Sequence, residues 1–332
     1  MNTLSISFTS LGLVVLDEIR FPNQEPLLDT LGGSGAYATL GARLFLRPPL
    51  SRTLGWMIRT GNDFPKLMMD RLKSWDATLI VEREADKPST RGLLEYEDTT
   101  ETLHLHHTHP PSPRQQPKKQ PPPNHKSIPL PRNPPRHANP SLNPPISQER
   151  SNQRNRPKHI PPLHNLGTSP HVDVLSPNHL ELAALFGESP AKAHDKATIE
   201  ALARRILDSG VGPDGTGTVV VRAGENGSVV VARSLPPTWL PPFYTSGPDG
   251  RQPSKVVDPT GAGNAFLGAY AVGYLRTGNA VEAACYGTVG GSFALEQVGM
   301  PELVSGGDGE LWNGVDVFER LREYREVVGL GN

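Results

Sequence analysis

The residues whose types and spacing suggest chemistry run from Val256 to Phe266, Val-Val-Asp-Pro-Thr-Gly-Ala-Gly-Asn-Ala-Phe. Asp258 and Thr260 stand just ahead of Gly261 and Gly263, and a helical pattern follows from Gly263 to Arg276. The first amides of a helix have no partner within it, and together with the positive end of the helix they attract an anion. Small residues let a phosphate come close to the backbone. Taken alone, a GxG of this kind is more often an ordinary turn into a buried helix. A second glycine-rich entry, Gly32, Gly33 and Gly35, opens another helical pattern that runs to Leu46.

These turns need strands and helices to hold them. Ile6–Leu16 is a strand candidate, and Leu11 to Leu16 is expected to be its buried part. Two acids, Asp17 and Glu18, follow at once and no basic stretch precedes, so a signal peptide or membrane span is not expected. Further strands are predicted at Leu54–Ile58, Thr78–Glu82, Val172–Leu175, Thr218–Arg222 and Ser228–Ala232, the last two joined by a turn at GENG. Helices are predicted at Phe64–Trp75, Asn178–Phe186, Lys196–Ser209, Ala280–Gln297 and Val315–Val327. In Lys196–Ser209, Ile199, Leu202, Ala203 and Ile206 share one face and Gly210 closes the helix. Strand and helix alternate, which predicts an α/β fold with a mostly parallel sheet covered on both faces.

Composition divides the chain. The 332 residues carry 33 Lys+Arg against 34 Asp+Glu, a net charge of -1, so no nucleic-acid partner is implied for the whole chain. One cysteine excludes an internal disulfide and points to a reducing, cytoplasmic setting. Only 36% of residues are hydrophobic and 35 are proline, well above the usual ~5%. The excess is concentrated between His104 and Pro170. From His104 to Asn165 there is no Gly, Val, Asp, Phe, Trp or Tyr, and ten basic residues face the lone acid Glu149. Such a stretch lacks the apolar surface to offset the ordering of its chain. Residues 104–170 are therefore expected to be a disordered or mistranslated segment, with 1–103 and 171–332 forming two parts of one large α/β domain. The segment's basic residues are the one place where RNA contact is conceivable, and spacings such as Pro131 to Pro134 permit docking of the SH3 type. His104, His106, His107 and His109 alternate as metal ligands can, though in so polar a run composition alone accounts for them.

Asp258-Pro259-Thr260-Gly261-Ala262-Gly263-Asn264 resembles the signature of the ribokinase-like, or pfkB, carbohydrate kinases, usually D-T-x-G-A-G-D. Four further segments match. Leu31 to Ala38 resembles the N-terminal di-glycine motif, with Tyr37 where Asn is common. Gly12 to Asp17 resembles the first strand and its substrate-binding Asp. Asn178-His179-Leu180-Glu181 fits N-x-x-E, and Val221 to Gly227 resembles the strand and turn beside the nucleotide. GGSGAYATLGARLF and SPNHLELAALFGE are most similar to the fungal "maintenance of killer" branch.

The resemblance implies a ribokinase-like three-layer α/β sandwich, interrupted here by the proline-rich segment, and ATP with Mg²⁺ as cofactors. It implies an anion hole of Gly261, Ala262 and Gly263, and a sugar or nucleoside bound at Asp17, Gly32, Gly33 and Tyr37. Nucleotide contacts fall on Asp258, Thr260, Arg222, Gly224 and Gly227, and Asn178 and Glu181 organise Mg²⁺ through water. A homodimer is compatible with the family. The general-base position is occupied by Asn264. An amide is no base at neutral pH, so turnover is expected to be strongly reduced or absent with binding retained.

Overall fold

The computed structural model describes residues 5–96, 105–108, 171–246, 255–306 and 309–331. All of them belong to one compact unit made of residues 1–110 and 162–332. In chain order its strands are β1 (Phe8–Ser10), β2 (Val15–Arg20), β3 (Leu27–Gly32), β4 (Leu54–Thr60), β5 (Thr78–Arg83), β6 (Arg91–Tyr96), β7 (Leu105–Thr108), β8 (Val174–Leu175), β9 (Thr218–Arg222), β10 (Ser228–Ala232), β11 (Leu235–Leu240), β12 (Leu303–Gly306) and β13 (Gly309–Trp312). The helices are α1 (Ser34–Leu44), α2 (Lys66–Ser74), α3 (His179–Leu185), α4 (Lys196–Asp208), α5 (Ala262–Thr277), α6 (Ala280–Leu295) and α7 (Val317–Val328).

The strands form four ladders. The order β1-β4-β5 is parallel throughout, with Phe8 opposite Leu54 and Gly55 opposite Thr78. The order β11-β10-β9-β8 is parallel only at β8–β9. A third sheet, β3-β2-β6-β7, carries Asp17 in its middle, opposite Thr30 on one side and Gly92 on the other. β12 and β13 make a hairpin. Among the described residues no hydrogen bond joins the first two ladders. β1 and β8 each pair on one side only.

The valine runs of β9 and β10 are buried on both faces because helices cover both. Val219, Val221, Val229 and Val231 pack on Ile199, Leu202 and Ile206 of α4, while Val220 and Val230 join the larger core of α1, α5, α6 and α7. α5 is placed by close backbone approach. A Cβ on Gly41 would overlap the carbonyl of Ala265, and one on Gly268 would overlap that of Ala38, so α1 and α5 cross with no side chain between them.

One sequence expectation is corrected. The run Ile6–Leu16 is not one buried strand: the chain leaves β1 at Ser10, crosses to another sheet and resumes at Val15, with Leu11 95% and Leu13 62% exposed. Asp17 accordingly lies inside β2 rather than at the end of the first strand. Leu105–Thr108, inside the polar tract, pairs antiparallel with β6 and carries His106 and His107 into that strand. The rest of the tract, with His104, His109 and the PxxP spacings, lies outside the described residues. No helix among the described residues is long and apolar enough to cross a membrane.

Candidate functional site

The N-terminus of α5 is the centre of the site. Gly261 caps it at φ 80 and ψ −16, a left-handed conformation that glycine adopts without strain. The first turn is tight: the Asn264 and Ala265 amides both donate to the Gly261 carbonyl, at 3.0 and 2.9 Å, and the Ala262 amide donates to Pro259 at 3.3 Å. Among the described residues the amides of Gly261 and Gly263 have no acceptor. The loop before them is fixed by Asp258, only 1% exposed, whose Oδ1 accepts from the Thr260 amide at 2.8 Å and the Tyr96 hydroxyl at 2.9 Å.

Arg222, the last residue of β9, reaches the same place. A Cβ on Gly263 would overlap Arg222 Nη1, so the guanidinium rests against the helix end. Its Nη2 donates to the Ser176 carbonyl at 3.0 Å and approaches Glu181 Oε2 at 3.5 Å, while Nε is buried without a partner. A cation held against the positive end of a helix is unfavourable unless an anion joins them. The unpaired amides, the guanidinium and the orphaned Nε together form such an anion site.

Two cavities flank this point. One, of about 400 Å³, is lined by Asn178, His179, Arg222, Gly224 and Gly227 together with Phe243, Tyr244, Ala262, Gly263 and Phe266. The other, of about 440 Å³, is lined by Asp17, Gly33, Ser34, Tyr37, Arg91 and Gly92 together with Thr260, Gly261 and Asn264. Pro259 lines both.

In the second cavity the Asp17 carboxylate is wedged between strands. A Cβ on Gly32 would overlap Oδ2, and one on Gly92 would overlap Oδ1, so both neighbours have to be glycine. Burial, and secondarily the Asp258 charge, push its pKa up to about 6. The Tyr37 ring is 3% exposed and lies where a Cβ on Gly261 would go. Burial raises the Tyr37 pKa beyond its ordinary value, so the phenol is neutral. Asn264 faces this cavity and not the other.

Asn178 and Glu181 form a reciprocal cap on α3: the Glu181 amide donates to Asn178 Oδ1, and the Asn178 amide to Glu181 Oε2, each at 2.7 Å. This is the usual helix-start arrangement. Glu181 Oε1 remains open to solvent. Among the described residues no group of three or more His, Cys, Asp or Glu could hold a metal ion. The structure therefore brings together Asn178, Arg222, Gly224, Gly227, Ala262 and Gly263 on one side, with Glu181 beside Arg222, and Asp17, Gly33, Tyr37, Gly261 and Asn264 on the other, with Gly32 behind Asp17. Asp258 and Thr260 brace the turn between them. Sequence reasoning missed Arg91, Tyr96, His179, Phe243 and Tyr244. Only the aromatic pair had a signal, two adjacent rings in a proline-flanked stretch.

Comparison with known proteins follows this geometry. The pfkB family carbohydrate kinase profile matches residues 156–303, which include Asn178–Glu181, Arg222 and the whole 258–264 turn. An uncharacterized protein of Schizosaccharomyces pombe is 29% identical over 97% of this chain and 94% of its own length. Protein MAK32 of Saccharomyces cerevisiae is 26% identical over 99% and 94%.

The chain is similar to the pfkB family of carbohydrate kinases.

Its likeness runs to the fungal MAK32 branch of that family. Solved structures show the fold. Ribokinase from Giardia lamblia superposes with a TM-score of 0.55 over 88% of this chain and 93% of its own, at 14% identity. Ribokinase from Cryptococcus neoformans in complex with ADP gives 0.54 over 87% and 93%, at 16%. The ribokinase-like α/β fold expected from the motifs is therefore present.

Proposed function

We propose that this chain binds ATP in the 400 Å³ cavity, with its phosphates at the Gly261–Gly263 turn, and takes a sugar or nucleoside hydroxyl in the cavity around Asp17. The observation that carries this reading is the convergence of two unpaired amides and the Arg222 guanidinium at the one point where the two cavities meet. Positioning and charge stabilisation dominate phosphoryl transfer, and the α5 terminus with Arg222 offers both. The hydroxyl oxygen would attack the terminal phosphorus, whose bond to the bridging oxygen breaks as the new one forms, so that ADP leaves and the hydroxyl proton passes to solvent.

Asn264 would orient that hydroxyl without taking its proton. A positioned base contributes about 10²–10⁴-fold, and this is the factor the chain would forgo. Mg²⁺ bound to the phosphates would neutralise their charge. The residues fit an ion of that kind: Glu181, with Oε1 open, supplies one carboxylate beside Arg222, and magnesium is usually held by one or two carboxylates plus phosphate oxygens and water. The proposed compartment is the cytoplasm, in keeping with the one cysteine, Cys285, being free and buried.

A second reading, a binding or regulatory protein without turnover, is favoured by Tyr37 and Asn264 together, since the ring covers Gly261 beside a position that has lost its base. A phosphotransfer assay with ATP and Mg²⁺ over sugars and nucleosides tests the choice. Slow native turnover that Asn264→Asp raises by 10-fold or more supports the impaired kinase. Rapid native turnover would refute the impairment. ATP binding with no turnover in either protein would support the second reading.

A further inference from the structure

The wall of the nucleotide cavity holds a side chain that the phosphate site leaves unused. His179, the first residue of α3, is half-buried and lines the 400 Å³ cavity next to Asn178, Arg222 and Gly224. Its Nδ1 lies 3.3 Å from the Arg222 carbonyl oxygen. A carbonyl only accepts, so this contact places the ring's proton on Nδ1. Burial lowers the pKa of the ring from its ordinary value, and at pH 7.5 it is neutral. The second nitrogen, Nε2, then carries a lone pair and no hydrogen.

Two neighbours fix the ring. A Cβ on Gly224 would stand 3.5 Å from His179 Cε1, and the His194 ring makes an edge contact with centroids 4.8 Å apart. His194 is in turn tied to the 224–227 turn, since its carbonyl accepts from Asn226 Nδ2 at 3.1 Å. Ser228 adds a second polar atom to the same cavity: it pairs with Arg222 across the β9–β10 ladder, is 2% exposed, and its Oγ has no partner among the described residues. A rotating hydroxyl suits donors and acceptors alike. An imidazole fixed at Nδ1 does not, so His179 is the group able to discriminate.

We infer that His179 reads the nucleoside end of the bound nucleotide: Nε2 accepts a hydrogen bond from a donor there, either a ribose hydroxyl or the amino group of adenine. The phosphates are not its partner, because at pH 7.5 they present acceptor oxygens that repel a lone pair. A site built around a fixed acceptor rejects an analogue lacking the donor, since the acceptor is then left unpaired. This inference rests on the nucleotide assignment of the proposed function and adds a selectivity that the α5 amides and Arg222, which would hold any triphosphate alike, do not supply.

The experiment titrates the full chain calorimetrically at pH 7.5, with Mg²⁺ present, using ATP, its 2′-deoxy and 3′-deoxy analogues, and inosine triphosphate, which has a carbonyl in place of the amino group. At least one analogue should bind roughly 5-fold or more weakly than ATP, and which one does so names the donor. His179→Asn keeps a donor near the place of Nδ1 and drops the acceptor, so the gap should close because ATP alone weakens. His179→Gln, whose amide reaches the place of Nε2, should keep part of the gap. A merely structural role would move all four ligands together. Equal affinities for all four in the native chain, or a gap that His179→Asn leaves unchanged, would overturn the inference and leave nucleotide binding standing. No binding of ATP would overturn the nucleotide assignment and this inference with it.

Discussion

The two sides of the α5 N-terminus are built differently. On the nucleotide side, β9 and β10 are valine runs buried on both faces, and the anion site is made largely of backbone. On the acceptor side, the sheet β3-β2-β6-β7 has a small core of Ile19, Leu94 and Tyr96, leaves Leu28 66% exposed, and offers side chains drawn from distant parts of the chain. The departures from the family signature, Tyr37 and Asn264, both line the acceptor side. A site made of amides and glycines depends on local conformation alone. A site made of side chains can lose its chemistry one residue at a time while the scaffold persists.

The largest expected effect separates function from stability on the nucleotide side. Gly263 is helical, so Gly263→Ala should leave stability unchanged or raise it by about 0.5–1 kcal/mol. The new Cβ displaces Arg222 from the helix end, and ATP affinity should fall by roughly 10²-fold. Calorimetry together with thermal unfolding checks both halves. A fall in Tm with unchanged affinity would place Arg222 outside the anion site.

The acceptor side should show the same opposition with a smaller amplitude. The folded-state pKa of Asp17, about 6, lies above that of an unfolded carboxylate, so its contribution to stability is full below about pH 4 and is lost as pH rises through about 6. Ionised Asp17 therefore costs the native protein about 2 kcal/mol at pH 7.5, allowing for partial screening. Asp17→Asn should raise stability by roughly that amount at pH 7.5 and by little at pH 4, while abolishing acceptor binding. Urea unfolding at the two pH values measures it. A variant less stable than the native protein at pH 7.5 would contradict the strained-carboxylate reading.

The smallest effect concerns Glu181. Glutamine still fits the helix-capping pattern, so Glu181→Gln should change stability by less than about 0.5 kcal/mol. The Mg²⁺ dependence of ATP affinity should weaken a few-fold, read by titrating ATP with and without the ion. An unchanged dependence would reduce N-x-x-E to its capping role.

Legibility in the sequence follows the same division. The 258–264 turn, the N-x-x-E cap and the valine strands were readable because each is local: glycine permits a left-handed cap, Asn and Glu three apart close a helix start, and β-branched runs make buried strands. β11 escaped notice because Pro236 and Pro237 read as a loop, and they are tolerated because that strand is an edge. The break between β1 and β2 was hidden inside an apolar run whose Leu11 and Leu13 point to solvent. Arg91 and Tyr96 join the site only through the pairing of β6 with β2, a contact between segments about 75 residues apart that no local pattern encodes. The N- and C-terminal halves meet through α1 and α5, glycine against backbone, rather than through strand pairing among the described residues.

The central claim is that the α5 terminus and Arg222 hold a phosphate, and titrating the native chain with Mg²⁺-ATP and, separately, with adenosine tests it most directly. The account expects ATP to bind at least 100-fold more tightly than adenosine, with the difference shrinking in Gly263→Ala. Equal affinities for the two, or no binding of ATP, would contradict it.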